Sequence, residues 1–178
     1  SPETRNAPPP RLILSQHDPH GTPAALGQAL QPLLASPADV VKAIFTAHDA
    51  LDACRVLAQL QQCSHARKLI MLATEPAGLI TRILARKFNA FAIFAALDST
   101  RRSAPGQPTL RELIDVYRWN EIGPSTTVFG VVGWPVSHSR SPAIHTAAMR
   151  TARIDGVYAP LPVAPTYAAF AAFMDHIT

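Results

Sequence analysis

Seven side chains stand where their type and spacing could do chemistry: His17, Lys42, Arg82, Ser103, Gln107, Ser139 and Ser141. His17 lies in Ser15-Gln16-His17-Asp18, just past the end of a short apolar strand, 11–15. In parallel α/β folds, functional groups gather at that end of a strand. A histidine there can serve as general acid and base near neutral pH; a turn histidine bonded to backbone fits the same spacing. Lys42 lies inside Val40-Val41-Lys42-Ala43-Ile44-Phe45, and strand alternation puts Val40, Lys42 and Ile44 on one face. An amine among apolar neighbours is costly unless paired or neutral. Burial lowers its pKa and makes it a nucleophile able to form a Schiff base. The alternative is a lysine whose head group snorkels to water at a sheet end.

Arg82 follows Gly78-Leu79-Ile80-Thr81 on a first helical turn. A guanidinium there can grip a carboxylate bidentately, or simply be solvated. Ser103-Ala104-Pro105-Gly106-Gln107 is a rigid loop whose Ser103 and Gln107 could bind substrate hydroxyls, although any Pro-Gly turn has this composition. Ser141-Pro142 reads as a helix cap and first-turn pair. With Ser139 it lies near a helix N-terminus, which suits a carboxylate; a plain helix cap is the alternative.

The elements that must position these groups recur with a βα rhythm. Strands are expected at 11–15, 40–45, 68–72 and 90–97. Helices are expected at 22–34 (Thr22 as cap, Pro23 in the first turn), 50–61, 78–87 and 110–117. Strand and helix alternating every ~20–30 residues is the signature of βαβ units and a parallel sheet, open or closed. Residues 118–126 break the rhythm, and Gly123-Pro124 signals a turn or linker. Strands at 127–132 and 157–161 follow, with helices at 141–151 and 166–174. The expected division is a Pro-rich lead at 1–10, one unit at 11–125 and another at 126–178.

Composition narrows the function. The 178 residues are 48% hydrophobic and 16% charged, so the whole chain is not intrinsically disordered. The longest apolar runs fall far short of the ~18 residues of a membrane span. Net charge is +4, but the basic residues are scattered and no aromatic residues alternate with them. That argues against nucleic acid as a partner and suits an anionic small molecule as well. Cys54 and Cys63 lie on opposite faces of one helix, and no metal-ligand spacing is present. A reducing, cytoplasmic compartment is expected, without a signal peptide. Gly130-Val131-Val132-Gly133 is not a dinucleotide-binding fingerprint, and no such fingerprint occurs elsewhere.

Taken together, these residues resemble two families in series. Residues 11 to about 118 resemble the C-terminal half of type I 3-dehydroquinate dehydratase. The resemblance rests on Ser15-Gln16-His17-Asp18, Asp39-Val40-Val41-Lys42, Gly78-Leu79-Ile80-Thr81-Arg82 and Ser103-Ala104-Pro105-Gly106-Gln107, in that order. Residues 127–178 resemble the start of shikimate dehydrogenase through Gly133-Trp134-Pro135-Val136-Ser137-His138-Ser139-Arg140-Ser141-Pro142-Ala143-Ile144-His145. Gln16, Thr74, Thr81, Asn89-Ala90 and Thr146 depart from the families' usual residues.

The resemblance implies an α/β fold: part of a (β/α)8 barrel, followed by the start of an α/β substrate-binding domain. It implies Lys42 as the Schiff-base lysine, His17 as acid and base, and Arg82, Ser103 and Gln107 as contacts for 3-dehydroquinate. Ser139 and Ser141 would hold the carboxylate of 3-dehydroshikimate. The dehydratase needs no cofactor beyond the lysine imine, whereas the dehydrogenase uses NADP bound by a domain outside this chain. The chain is then expected to be an internal piece of a bifunctional polypeptide whose remainder is its partner. Two other readings compete: a non-catalytic half-barrel scaffold, and a standalone aldolase-like lyase using Lys42.

Overall fold

A computed structural model describes residues 10–177. The Pro-rich lead, Pro10 apart, lies outside the described residues. Five strands and five α-helices follow in the order β1 (Ile13–His17), α1 (Leu26–Leu34), β2 (Val40–Thr46), α2 (Ala50–Cys63), β3 (Leu69–Thr74), α3 (Leu79–Ile83), β4 (Thr127–Gly133), α4 (Ser141–Thr151), β5 (Gly156–Pro162) and α5 (Tyr167–Ile177). They form two parallel sheets, β1-β2-β3 and β4-β5.

The first sheet has two unlike faces. Val41, Ala43, Phe45, Leu69, Met71 and Ala73 point to one side and are buried against α1, α2 and α3, with Leu30, Val56, Leu60 and Ile83 in the same core. Alternation sends Lys42 and its neighbours to the other side. There Val40, Ile44, Ile70 and Leu72 form a separate, smaller apolar cluster, with Ala92 and Ile93 packed on it.

Two arginines fix the loops around α1. The Arg55 guanidinium donates to the carbonyls of Thr22, Pro23 and Ala24. Those are the carbonyls that a helix starting at Pro23 would need for its first turn. The helix therefore starts at Leu26, and the expected Thr22 cap is corrected: its hydroxyl donates to the Thr46 carbonyl at 3.0 Å. Arg67 does the same work at the other end of α1, donating to Leu34, Ser36 and Ala38. Both cysteines are free, and burial pushes the Cys54 thiol up to about 11.

The expected strand at 90–97 does not form. Phe91 N–H donates to the Leu69 carbonyl at 2.9 Å, and Ala96 makes one isolated bridge with Thr109. Between these points the segment joins no strand ladder. The expected helices at 78–87 and 110–117 also shorten. The first becomes one 3-10 turn, Pro76–Gly78, and the five residues of α3; the second is largely a π-helix, Glu112–Val116. None of the helices among the described residues is long and apolar enough to cross a membrane.

Candidate active site

Register brings His17 and Lys42 to one face. Ser15 pairs with Lys42, and His17 with Ile44. Parallel partners point the same way, so Ser15, His17 and Lys42 share the face opposite the main core. Their positions put the Cα atoms of His17 and Lys42 about 8 Å apart, two residues along and one strand across. His17 is the last residue of β1, not just past the strand's end as the sequence suggested, and it is exposed. Lys42 is half-buried on the central strand and rises from the floor of Val40, Ile44, Ile70 and Leu72. Its Nζ stands 4.6 Å from the centre of the Phe94 ring, an attraction between cation and ring face. Thr46 and Thr74 close the same face at the strand ends, with their hydroxyls 3.4 Å apart.

Gly78, Thr81 and Arg82 converge on the backbone of a single residue, Ala73, near the end of β3. Thr81 Oγ1 accepts from Ala73 N–H at 3.0 Å and donates to the Gly78 carbonyl at 2.6 Å. Arg82 Nη1 donates to the Ala73 carbonyl. A Cβ on Gly78 would lie 2.4 Å from that carbonyl, so the turn closes only with glycine there. Arg82 is 3% exposed, which excludes a simply solvated side chain. Burial pushes its guanidinium down to about 10, which still leaves it charged at neutral pH. Its Nε is buried without a partner. Among the described residues no carboxylate pairs with Lys42 or Arg82. A buried cation without its counter-charge is costly, and an anionic ligand would relieve that cost.

The 103–107 loop is held against the turn after β3. Gly106 has φ +69°, and a Cβ there would fall 1.9 Å from the Glu75 carbonyl oxygen. Gln107 is buried, and its Oε1 accepts from both the N–H (2.7 Å) and the hydroxyl (3.1 Å) of Ser103. Arg102, one residue earlier, pairs with Glu112 at 2.9 Å. Glu112 Oε2 also accepts from Thr109 N–H while Thr109 Oγ1 accepts from Glu112 N–H, a reciprocal capping box.

Ser139 and Ser141 sit apart from this group, at the start of α4. The expected cap is corrected: Ser141 is the first helical residue, and the Ser139 hydroxyl accepts from Ser141 N–H at 3.2 Å. Nearby His145 stacks on Tyr158 with ring centres 4.4 Å apart. A cleft of about 770 Å³ is lined by Gly106, Pro108, Trp134, Ser139 and Arg140, among others, and by none of His17, Lys42, Arg82, Ser103, Gln107 or Ser141.

The sequence profile of the family described as "Type I 3-dehydroquinase" matches residues 3–124. The chain belongs to the type I 3-dehydroquinase family. It is 38% identical over 150 residues to the "Bifunctional 3-dehydroquinate dehydratase/shikimate dehydrogenase, chloroplastic" of Arabidopsis thaliana, over 83% of this chain and 24% of that protein. It is also 55% identical over 40 residues to a "Shikimate dehydrogenase (NADP(+))" of Citrifermentans bemidjiense, over 22% of this chain and 14% of that one. Shikimate dehydrogenase matches fall at the C-terminal end. Among solved structures, "Dehydroquinate dehydratase and shikimate dehydrogenase from S. pombe AroM" superposes with a TM-score of 0.51 at 26% identity, over 89% of this chain and 30% of that chain. This dehydroquinase chain therefore spans about a quarter to a third of those bifunctional relatives.

Sequence reasoning passed over several residues that shape this candidate site. Phe94 has no motif of its own; only its place in an apolar run was visible, not its position over Lys42. The Thr109-x-x-Glu112 spacing is a capping-box signature and was readable. Arg102 and Trp119 act through contacts across sequence separations of 10 and 37, which no local pattern announces.

Proposed function

We propose that this chain carries the C-terminal half of a (β/α)8 dehydratase barrel at 11–125, followed at 126–178 by the start of a shikimate dehydrogenase substrate domain. In this reading the complete polypeptide dehydrates 3-dehydroquinate to 3-dehydroshikimate and reduces that product to shikimate. The remainder of the same polypeptide completes both units, and small anionic substrates are its other partners. The observation that carries the reading is the shared face of Lys42 and His17, with the lysine set in an apolar floor and, among the described residues, without an acidic partner.

The chemistry follows from these groups. The Lys42 amine adds to the ketone of 3-dehydroquinate and expels water, forming an imine. Protonated, the imine withdraws electrons and acidifies the neighbouring carbon. His17 takes that proton and returns a proton to the departing hydroxyl, which leaves as water. Hydrolysis of the imine frees the product and the amine. Arg82 grips the substrate carboxylate, and its charge survives burial at neutral pH. Ser103 and Gln107 position the hydroxyl-bearing side of the ring.

Ser139 and Ser141 at the start of α4 bind the carboxylate of the second substrate. NADP supplies the hydride for that reduction when bound, but the described residues do not form a nucleotide cradle. Gly130, within β4, is a packing glycine: a Cβ there would lie 2.4 Å from Leu161 Cδ1. No step is assigned to this chain's residues through that cofactor. The two free thiols support a reducing compartment, proposed as the cytoplasm.

In the complete polypeptide, Lys42→Ala is expected to abolish dehydration and leave the reductase working; retained dehydratase turnover overturns the imine role. Replacing both Ser139 and Ser141 with Ala is expected to weaken shikimate binding without touching dehydration. Unchanged shikimate affinity in that variant refutes their assignment.

A further inference from the structure

Arg82 is fixed at both ends, and one of its anchors comes from a segment that the motifs do not include. Its Nη1 is held by the Ala73 carbonyl. Its own carbonyl, near the C-terminal end of α3, accepts from the indole N–H of Trp119 at 2.9 Å. Carbonyls at a helix end run out of following amides and need other donors. Trp119 is itself held: it packs on the main core, and the Arg86 guanidinium lies 5.3 Å from its ring centre.

The chain after Trp119 is laced to the same region. Arg86 Nε donates to the Ile122 carbonyl at 3.1 Å. Lys87 Nζ donates to the carbonyls of Pro124 and Thr126 at 2.7 and 2.9 Å. Gly123 N–H is closed onto Thr126 Oγ1 at 2.9 Å. Residues 119–126, which the sequence reads as a turn or linker, thus form a strap tied to 82–87 and leading directly into β4.

We propose that Trp119 is a positioning residue for Arg82: its indole N–H sets the α3 backbone from which the guanidinium reaches the substrate carboxylate. The proposal rests on the reading of Arg82 as the carboxylate grip. Trp119 touches no substrate; it acts through the Arg82 carbonyl. Because the strap continues into β4, the aim of the first site's arginine depends on a segment leading into the second sheet.

The test uses the complete polypeptide, with 3-dehydroquinate as the probe. Trp119→Phe keeps an aromatic ring and removes the N–H. Replacing Trp119 with benzothienylalanine removes the same N–H at nearly constant shape, and this variant decides the matter if the Phe variant folds poorly. The dehydroquinate KM is expected to rise about five-fold, the worth of one ordinary hydrogen bond, with kcat changed less than about two-fold as expected for lost uniform binding. Combined with Arg82→Ala, the same change is expected to add nothing further to KM, because the two residues act as one unit. If Arg82→Ala itself leaves KM unchanged, the carboxylate reading fails and takes the proposal with it. If Arg82→Ala raises KM but removing the indole N–H does not, the grip stands and the positioning role is overturned. If the two effects multiply in the double variant, Trp119 acts independently of Arg82 and the proposal is equally overturned.

Discussion

Gly106→Ala tests whether the 103–107 loop is held where Ser103 and Gln107 can serve the site. At φ +69° an alanine costs about 1–2 kcal/mol from backbone sterics alone. Its Cβ would stand 1.9 Å from Glu75 O, 2.4 Å from Glu75 C and 3.0 Å from Pro76 N, all backbone atoms. An ordinary carbon–oxygen contact needs about 3.3 Å, so the two segments must part by about 1.4 Å. Glu75 has little room to yield. Its φ is already +65°, and its carbonyl accepts from Gly78 N–H at 3.0 Å, while Gly78 is itself packed on Ala73. The loop therefore moves, and the Gln107 contacts to Ser103 at 2.7 and 3.1 Å move with it. A misplacement of about 1 Å can cost about 100-fold in rate. The assay is dehydration by the complete polypeptide, followed through the ultraviolet absorbance of the conjugated product, and kcat/KM is expected to fall by about 100-fold. Gly123→Ala is the control, since a Cβ there meets nothing within 4 Å. Activity of Gly106→Ala within two-fold of the parent, with the control unaffected, would refute the claim that this contact holds the loop.

Other consequences are measurable in the same protein. Thr81→Val leaves the buried Ala73 N–H and Gly78 carbonyl without their shared hydroxyl; an expected loss of about 2–4 kcal/mol is readable by denaturant titration, and Thr81→Ser, which keeps the hydroxyl, is expected to restore most of it. Arg82 carries its charge below about 10. The proposed carboxylate grip would thus be present at neutral pH and lost as pH rises through about 10, so kcat/KM should fall there, and this limb should move in Arg82→Lys. The sign for stability is opposite. Above about 10 the unfolded chain holds the arginine proton more firmly than the folded one, so stability from this group rises with pH there, and its burial cost is fully present below about 10.

The central βαβ region was legible because its signals are local. Short apolar runs marked β2 and β3, and Asp49 caps α2 by accepting from Asp52 N–H at 3.0 Å, as an N-cap aspartate does. Two of the failures involve partners distant in sequence. The segment 90–97 has the apolar composition of a strand, but beside β3 it meets only the Leu69 carbonyl, and the Ala73 end of that edge is occupied by Thr81 and Arg82. Thr22-Pro23 is a good helix start by composition, yet Arg55 takes the carbonyls that the first turn requires. Site residues followed the same rule. Lys42 could be placed on its strand from pattern alone, whereas His17 was read just past the end of its own; the register of β1 on β2 puts both on one face. The burial of Arg82, its indole anchor and the Phe94 ring over Lys42 depend on tertiary contacts that no spacing encodes.

Imine formation between Lys42 and a ketone substrate is directly measurable: add 3-dehydroquinate to the complete polypeptide, reduce with borohydride, digest, and weigh the peptide that contains Lys42. This peptide is expected to gain the mass of the reduced ligand, and Lys42→Ala to gain none anywhere. Dehydration proceeding at the normal rate with an unmodified Lys42 peptide would contradict it.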